Sequence, residues 1–261
     1  TAHRALLSGN WQSAENLLRD YEADQEIRSG FVWRYLWGIS HQFEQLWQEH
    51  EEGGRAYCVA FTPDGTRLIA GTESGILLIW DVATRRELHR LSGHTTCINA
   101  ISISSDGQKV ATASCDHSTK IWNIESGNSE SIVFEHGSEL YSVCFSPDGK
   151  TLAVGDESGR IFLCDPELQK VISSTRTSQW RVSDIAYSAD GRLIIAASGS
   201  EAFVFETTDL KLKSTLHDAG RVIHSVACLS RDGLIAWGGD SQVLHLSDPN
   251  DMSEVAQYFL P

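Results

Sequence analysis

The run Ser104-Ser105-Asp106-Gly107 decides how the rest of the chain is read. Asp-Gly between short apolar runs is a hairpin signal, and the same arrangement surrounds Asp64-Gly65, with Val59-Ala60-Phe61 before it and Leu68-Ile69-Ala70 after it. The pair recurs at Asp64-Gly65, Asp106-Gly107, Asp148-Gly149, Asp190-Gly191 and Asp232-Gly233, at four intervals of 42 residues each. A fixed period of about 40–45 residues is the signature of a β-propeller blade. The chain is therefore expected to be mainly β, a tandem array of hairpins.

Other landmarks keep the period. Trp80 and Trp122 lie 42 apart, as do His94 and His136. A fourth strand per unit is expected at Glu44–Trp47, Glu87–Leu91, Ile132–Phe134, Val171–Ser174, Leu212–Leu216 and Val255–Phe259. Blades are expected near 55–91, 97–134, 139–175, 181–216 and 222–259, after a helical segment over 1–43.

These residues resemble the WD-repeat family over roughly residues 44–259. Blade 2 carries the fullest pattern: Gly93-His94, the turn at 104–107, Ser114, Asp116 and Ile121-Trp122-Asn123. The resemblance implies a hydrogen-bonded tetrad of His94, Ser114, Asp116 and Trp122 that ties inner strands to outer ones. Other blades depart from the pattern. Cys164 stands in the Trp position of blade 3, Ser178 and Glu206 in the His and Trp positions of blade 4, and Ser247 in the Trp position of blade 5.

With 35 acidic against 21 basic residues the net charge is −14, which works against binding a phosphate backbone. Nucleic acid is not an expected partner. No apolar run reaches the roughly 18–20 residues of a membrane span. Six cysteines, at 58, 97, 115, 144, 164 and 228, lack Cys-x-x-Cys or zinc-site spacing and read as small buried residues. Cys97 and Cys115 lie almost symmetrically about Asp106-Gly107 and are candidates for cross-strand neighbours; buried thiols are the expectation there and a disulfide the alternative. Free cysteines point to a reducing, cytoplasmic compartment.

Ahead of the repeats, Trp11, Ala14, Leu17, Leu18 and Tyr21 recur at helical spacing, and Phe31-Val32-Trp33-Arg34-Tyr35-Leu36-Trp37 would be apolar on nearly every face of a helix. Such a helix seals an end of the propeller or docks a partner. The order Ala-Leu-Leu-Ser-Gly-Asn-Trp at 5–11, then Gly30-Phe31-Val32-Trp33-Arg34-Tyr35-Leu36-Trp37 and His41, is similar to a junction in large bacterial serine/threonine protein kinases, where WD repeats follow a kinase domain and a membrane span. That resemblance implies an extracytoplasmic propeller. No kinase motif occurs in the chain itself. Because Glu44–Trp47 forms an outer strand without inner partners, the natural protein is expected to continue with two or more further blades. The alternative is a five-bladed ring with that strand outside it.

Few residues suggest catalysis. His94, Ser114 and Asp116 could pass for a nucleophile triad, but their repeat positions assign them to the tetrad. Gly149-Lys150-Thr151 lacks the first Gly of a phosphate loop and precedes a strand. Neither a metal site nor a cofactor is expected. What remains is the rim where the innermost strands begin: Arg55, Tyr57, Asn99, Tyr141, Trp180, Arg181, Arg221 and His224. Trp, Tyr and Arg are the types enriched at interface hot spots. The sequence thus predicts a non-catalytic scaffold for a protein or peptide partner. The alternative is the sensor region of a membrane-anchored bacterial kinase.

Overall fold

The computed structural model describes residues 54–218, 220–228 and 233–259. The helical segment expected over 1–43 and the strand at Glu44–Trp47 lie outside them, as does the Asp232 turn residue. Among the described residues there is no helix.

Five antiparallel sheets of four strands follow one another in chain order. The first contains β1 (Ala56–Phe61), β2 (Arg67–Thr72), β3 (Ile76–Asp81) and β4 (Glu87–Ser92); the second β5 (Ile98–Ile103), β6 (Lys109–Ser114), β7 (Ser118–Asn123) and β8 (Ser129–Glu135). The third holds β9 (Leu140–Phe145), β10 (Leu152–Asp156), β11 (Arg160–Asp165) and β12 (Lys170–Arg176). The fourth holds β13 (Val182–Tyr187), β14 (Leu193–Ser198), β15 (Glu201–Glu206) and β16 (Leu212–His217); the fifth β17 (Ile223–Cys228), β18 (Ile235–Gly239), β19 (Val243–Ser247) and β20 (Glu254–Phe259). Each sheet is a meander whose strands pair in sequence order, so every blade is built from one contiguous stretch.

The Asp-Gly turns share one construction. The hydroxyls of Thr62, Ser104, Ser146 and Ser188 donate to Asp64, Asp106, Asp148 and Asp190 at 2.6–2.7 Å. Each Asp also accepts the backbone N–H two residues on. Gly65, Gly107, Gly149 and Gly191 then take φ of 70–71°, which only Gly adopts without strain. The donated bonds hold all four carboxyls below their ordinary range, Asp64 at about 2.

The core lies between blades. Successive residues of a strand point to opposite faces, and here both faces are covered. On β14, Ile194 and Ala196 pack with Val182, Ile185 and Tyr187 in the cluster shared with blade 3. Leu193, Ile195 and Ala197 pack with Ile223, Val226, Ile235 and Trp237 of blade 5. All six residues of β14 are buried, which is why it reads as an unbroken apolar run. The same division recurs at β10, where Leu152 and Val154 face blade 2 while Ala153 joins the cluster with blade 4.

Inner strands β1, β5, β9, β13 and β17 pack side by side in that order. Among the described residues no comparable seam joins β17 to β1. Val59 and Phe61 on the first sheet, and Tyr258 and Phe259 on the last, are exposed. The seams are also tied at their inner edge. Cys58 Sγ contacts the Ile98 carbonyl at 3.5 Å, and Asn99 donates to the Leu140 carbonyl at 2.8 Å. Ser142 and Ser183 donate at 3.1 Å to the carbonyls of Val182 and Ile223. Asp184 accepts from Ser225 Oγ at 2.7 Å and the Val226 N–H at 2.9 Å.

Candidate functional site

The bracing of blade 2 separates structural polar groups from functional ones. Trp122 Nε1 donates to Thr112 Oγ1 at 3.0 Å, Thr112 lies 2.6 Å from His94 Nε2, and His94 Nδ1 lies 2.8 Å from Asp116. Burial pushes the His94 imidazole down, against the hydrogen bond it donates to Asp116. The neutral ring therefore donates from Nδ1 and accepts the Thr112 hydroxyl proton at Nε2. Burial alone would raise the Asp116 carboxyl, but bonds from Ser118, His94 and Thr95 bring it to about 2. The hydroxyl between indole and imidazole is thus Thr112, not the expected Ser114. Trp122 pairs with Val110, four residues from Ser114 along β6, and strand rise puts Ser114 out of the indole's reach. Ser114 instead donates to the Cys97 carbonyl at 2.8 Å and accepts the Asp116 N–H at 3.1 Å. It makes no bond to His94, so the three do not form a nucleophile triad.

Blade 5 makes a related bond with the partners exchanged between strands. Ser247 pairs with Ile235 as Trp122 pairs with Val110. Trp237 sits on β18 and donates Nε1 to Ser247 Oγ at 3.2 Å, while its ring stacks on His245 at 4.0 Å. In blade 3, His136 packs against Phe162 at 4.5 Å, its Nδ1 has no partner among the described residues, and burial lowers its pKa to about 4.

At the end of the sheets opposite the Asp-Gly turns lies the rim. In every blade the innermost hairpin carries a β-bulge one residue into its first strand, at Tyr57, Asn99, Tyr141, Ser183 and His224. A bulge re-aims the side chain of its extra residue. Four of the eight predicted rim residues therefore occupy one structural position. Tyr141 donates its hydroxyl to Glu139 at 3.0 Å, and the Arg181 guanidinium lies over its ring at 5.1 Å. Burial pushes the Tyr141 phenol up, with Glu139 adding to it. His224 Nε2 pairs with Asp240 at 2.7 Å, and Asn99 bridges blades 2 and 3. Tyr57, Arg55 and Arg221 are exposed; the Arg55 carbonyl accepts the Glu73 N–H, and the Arg221 N–H bonds the Asp218 carbonyl.

Among the aromatic residues predicted for the rim, Trp180 is the most exposed, at 61%. Its backbone is fixed on both sides: the N–H donates to Ser178 Oγ at 2.9 Å, and the carbonyl accepts Ser198 Oγ at 2.7 Å. A Cβ on Gly199 would come within 2.8 Å of Trp180 Cδ1, so the indole lies where only Gly leaves room. Trp180 thus presents an exposed indole next in sequence to the Arg181 that covers Tyr141; among the described residues no group of side chains could hold a metal ion. Sequence reasoning missed Thr112, Ser183, Gly199 and the repeated bulge. The two-strand exchange of Trp237 and Ser247 left only an apparent gap.

Cys97 and Cys115 form a disulfide, with Cα atoms 5.6 Å apart. The expectation of six free thiols is corrected accordingly. The two residues flank the ends of one hairpin, which brings their backbones within bonding range. Cys58, Cys144, Cys164 and Cys228 are free.

Two family models match the chain: WD domain, G-beta repeat, over residues 42–81 and 85–123, and the anaphase-promoting complex subunit 4 WD40 domain, over 117–190. Autophagy-related protein 16 of Arabidopsis thaliana is 29% identical, with the match covering 80% of this chain and 42% of that protein. WD repeat-containing protein 26 homolog of Drosophila melanogaster is 27% identical over 76% of this chain and 32% of its own length. The U3 small nucleolar RNA-associated protein 15 homolog of Xenopus tropicalis is 26% identical over 68% and 35%. The chain thus spans less than half the length of these relatives. The matches support placing it among WD40-repeat proteins. The resemblance to kinase-linked junctions falls on residues 5–41, outside both the described residues and the family-model matches.

Proposed function

We propose that this WD-repeat array serves as a non-catalytic interaction scaffold that holds a protein or peptide on its rim. The observation that carries this reading is the bulge repeated at the same end of every blade, beside an exposed indole whose backbone is held by Ser178 and Ser198 and which packs over Gly199. Side chains held in place before binding lose less entropy on contact. Aromatic and Arg groups supply most of the binding energy at protein interfaces. The family-model matches and WD-repeat relatives are consistent with a scaffold.

Selection of a random peptide display library against the full chain tests it. Peptides that bind the rim should lose about 30-fold or more in affinity on Trp180→Ala, the equivalent of a hot spot near 2 kcal/mol. Arg181→Ala should weaken them too, whereas Leu168→Ala, exposed in a turn at the far end of blade 3, should not. Selected peptides that bind the Trp180 and Arg181 variants as tightly as the parent would refute the rim as the binding surface.

A further inference from the structure

The disulfide stands at a junction of the rim. Cys97 precedes β5, Cys115 follows β6, and both are half-buried. The Asn99 amide donates to Cys115 Sγ at 3.1 Å and to the Leu140 carbonyl of blade 3 at 2.8 Å. Immediately beyond Cys115, Asp116 holds His94 and the brace of blade 2. One bridged pair therefore sits between the internal brace of a blade and its tie to the next.

The other four cysteines have a different chemistry. Burial pushes the thiols of Cys58, Cys164 and Cys228 up to about 12 and raises that of Cys144. They stay protonated at neutral pH, and a protonated thiol does not attack a disulfide. Exchange within the chain is thereby suppressed, and Cys97–Cys115 is left as the redox-responsive pair, facing thiols from outside.

We infer that Cys97–Cys115 is a redox modification site that exchanges with small-molecule thiols of the glutathione class, and that its state sets the order of the rim between blades 2 and 3. The chemistry balances with that co-reactant alone. An external thiolate attacks Cys97 Sγ, the bond to Cys115 breaks, and a mixed disulfide forms on Cys97 while Cys115 leaves as a thiolate. Asn99 is already donating to that leaving sulfur, which favours its charged form. Cys115 then takes a proton from solvent. A second external thiolate attacks the outer sulfur of the mixed disulfide, Cys97 leaves as a thiolate and is protonated, and the two external thiols depart as one disulfide. The protein pair is reduced by two electrons and the external thiols are oxidised by two. Reduction frees Cys115 from Cys97 and loosens the turn that carries Asp116 and receives Asn99. This inference does not depend on what the rim binds.

The test uses the full chain in glutathione buffers from oxidising to reducing, acid-quenched, alkylated and read by peptide mass spectrometry, with hydrogen exchange on the same samples. Cys97 and Cys115 should convert together while the other four do not change. Asn99→Ala should slow reduction by about tenfold, the loss of one hydrogen bond to the leaving sulfur. On reduction, amide exchange across Cys115–Ser118 and Leu140–Ser142 should rise by about fivefold or more. A Cys97→Ser, Cys115→Ser double variant should show that raised exchange in either buffer. The inference is overturned if the pair stays reduced in oxidised glutathione, if it converts with no change in exchange, or if Asn99→Ala reduces at the parent rate.

Discussion

Thr112 differs from Ser114 by what each leaves behind when removed. Thr112→Val strands the Trp122 N–H and the His94 Nε2 in a buried site, and should cost about 1–3 kcal/mol. Ser114→Ala, which gives up the bonds to the Cys97 carbonyl and from the half-buried Asp116 N–H, should cost about 1 kcal/mol. Urea unfolding at neutral pH measures both, and equal losses would argue against the Thr112 relay. His136 makes a pH prediction. Its folded value, about 4, lies below the ordinary 6.5, so the unfolded chain binds the extra proton and stability falls as pH drops from 6.5 towards 4. The full effect is about 3 kcal/mol. His136→Phe should shrink that slope to the part that His94, also pushed down by burial, contributes, and leave stability at pH 7 unchanged or higher, because Nδ1 has no partner among the described residues. A separate loss should follow as pH falls from about 4 towards 2, where Asp64 and Asp116, held down in the fold, finally protonate. Urea midpoints between pH 7 and 2 should resolve the two windows. The Asp-Gly turns were legible in sequence because each is closed by residues within five positions of one another. The bridging hydroxyl was not, since two hydroxyls on the same face of β6 differ only in their distance from an indole on the neighbouring strand.

The bulge and the exchanged pair belong to the strand. No residue type marks the bulge: Tyr57, Asn99, Tyr141, Ser183 and His224 have little in common, and their shared position comes from a register shift against the second strand. Sequence reading found four of the five by their place at the start of the innermost strands and passed over Ser183, whose hydroxyl ties blade 4 to blade 5. In blade 5, a pattern with Trp on the third strand registers as a defect, although the indole is present on the second. Trp237→Thr alone leaves a cavity and should cost about 3–5 kcal/mol. Ser247→Trp alone sets two indoles in one layer and should cost about 1–3 kcal/mol. The double variant, which restores the arrangement of blade 2, should recover at least about half of the summed loss in a double-mutant cycle. Simple additivity would mean that the two positions are independent.

Across the described array, stability resides in seams, and each described seam joins chain neighbours. Ile195→Ala, at the seam of blades 4 and 5, should cost about 2–5 kcal/mol. Hydrogen exchange should place the loss of protection in those two blades, with blade 2 little affected, as expected of a nearest-neighbour array. A uniform loss would instead indicate that the five blades unfold as one unit. The pairing order within the sheets also bears on how such a chain is made. Each described sheet takes its strands from one uninterrupted stretch, repeating every 42 residues. At about 5–20 residues per second, a ribosome delivers one repeat in about 2–8 s, while a hairpin closes in about 1–10 μs. Every blade can therefore finish its own hydrogen bonding before the next emerges, and the newest blade gives its successor a formed apolar face on which to settle during synthesis.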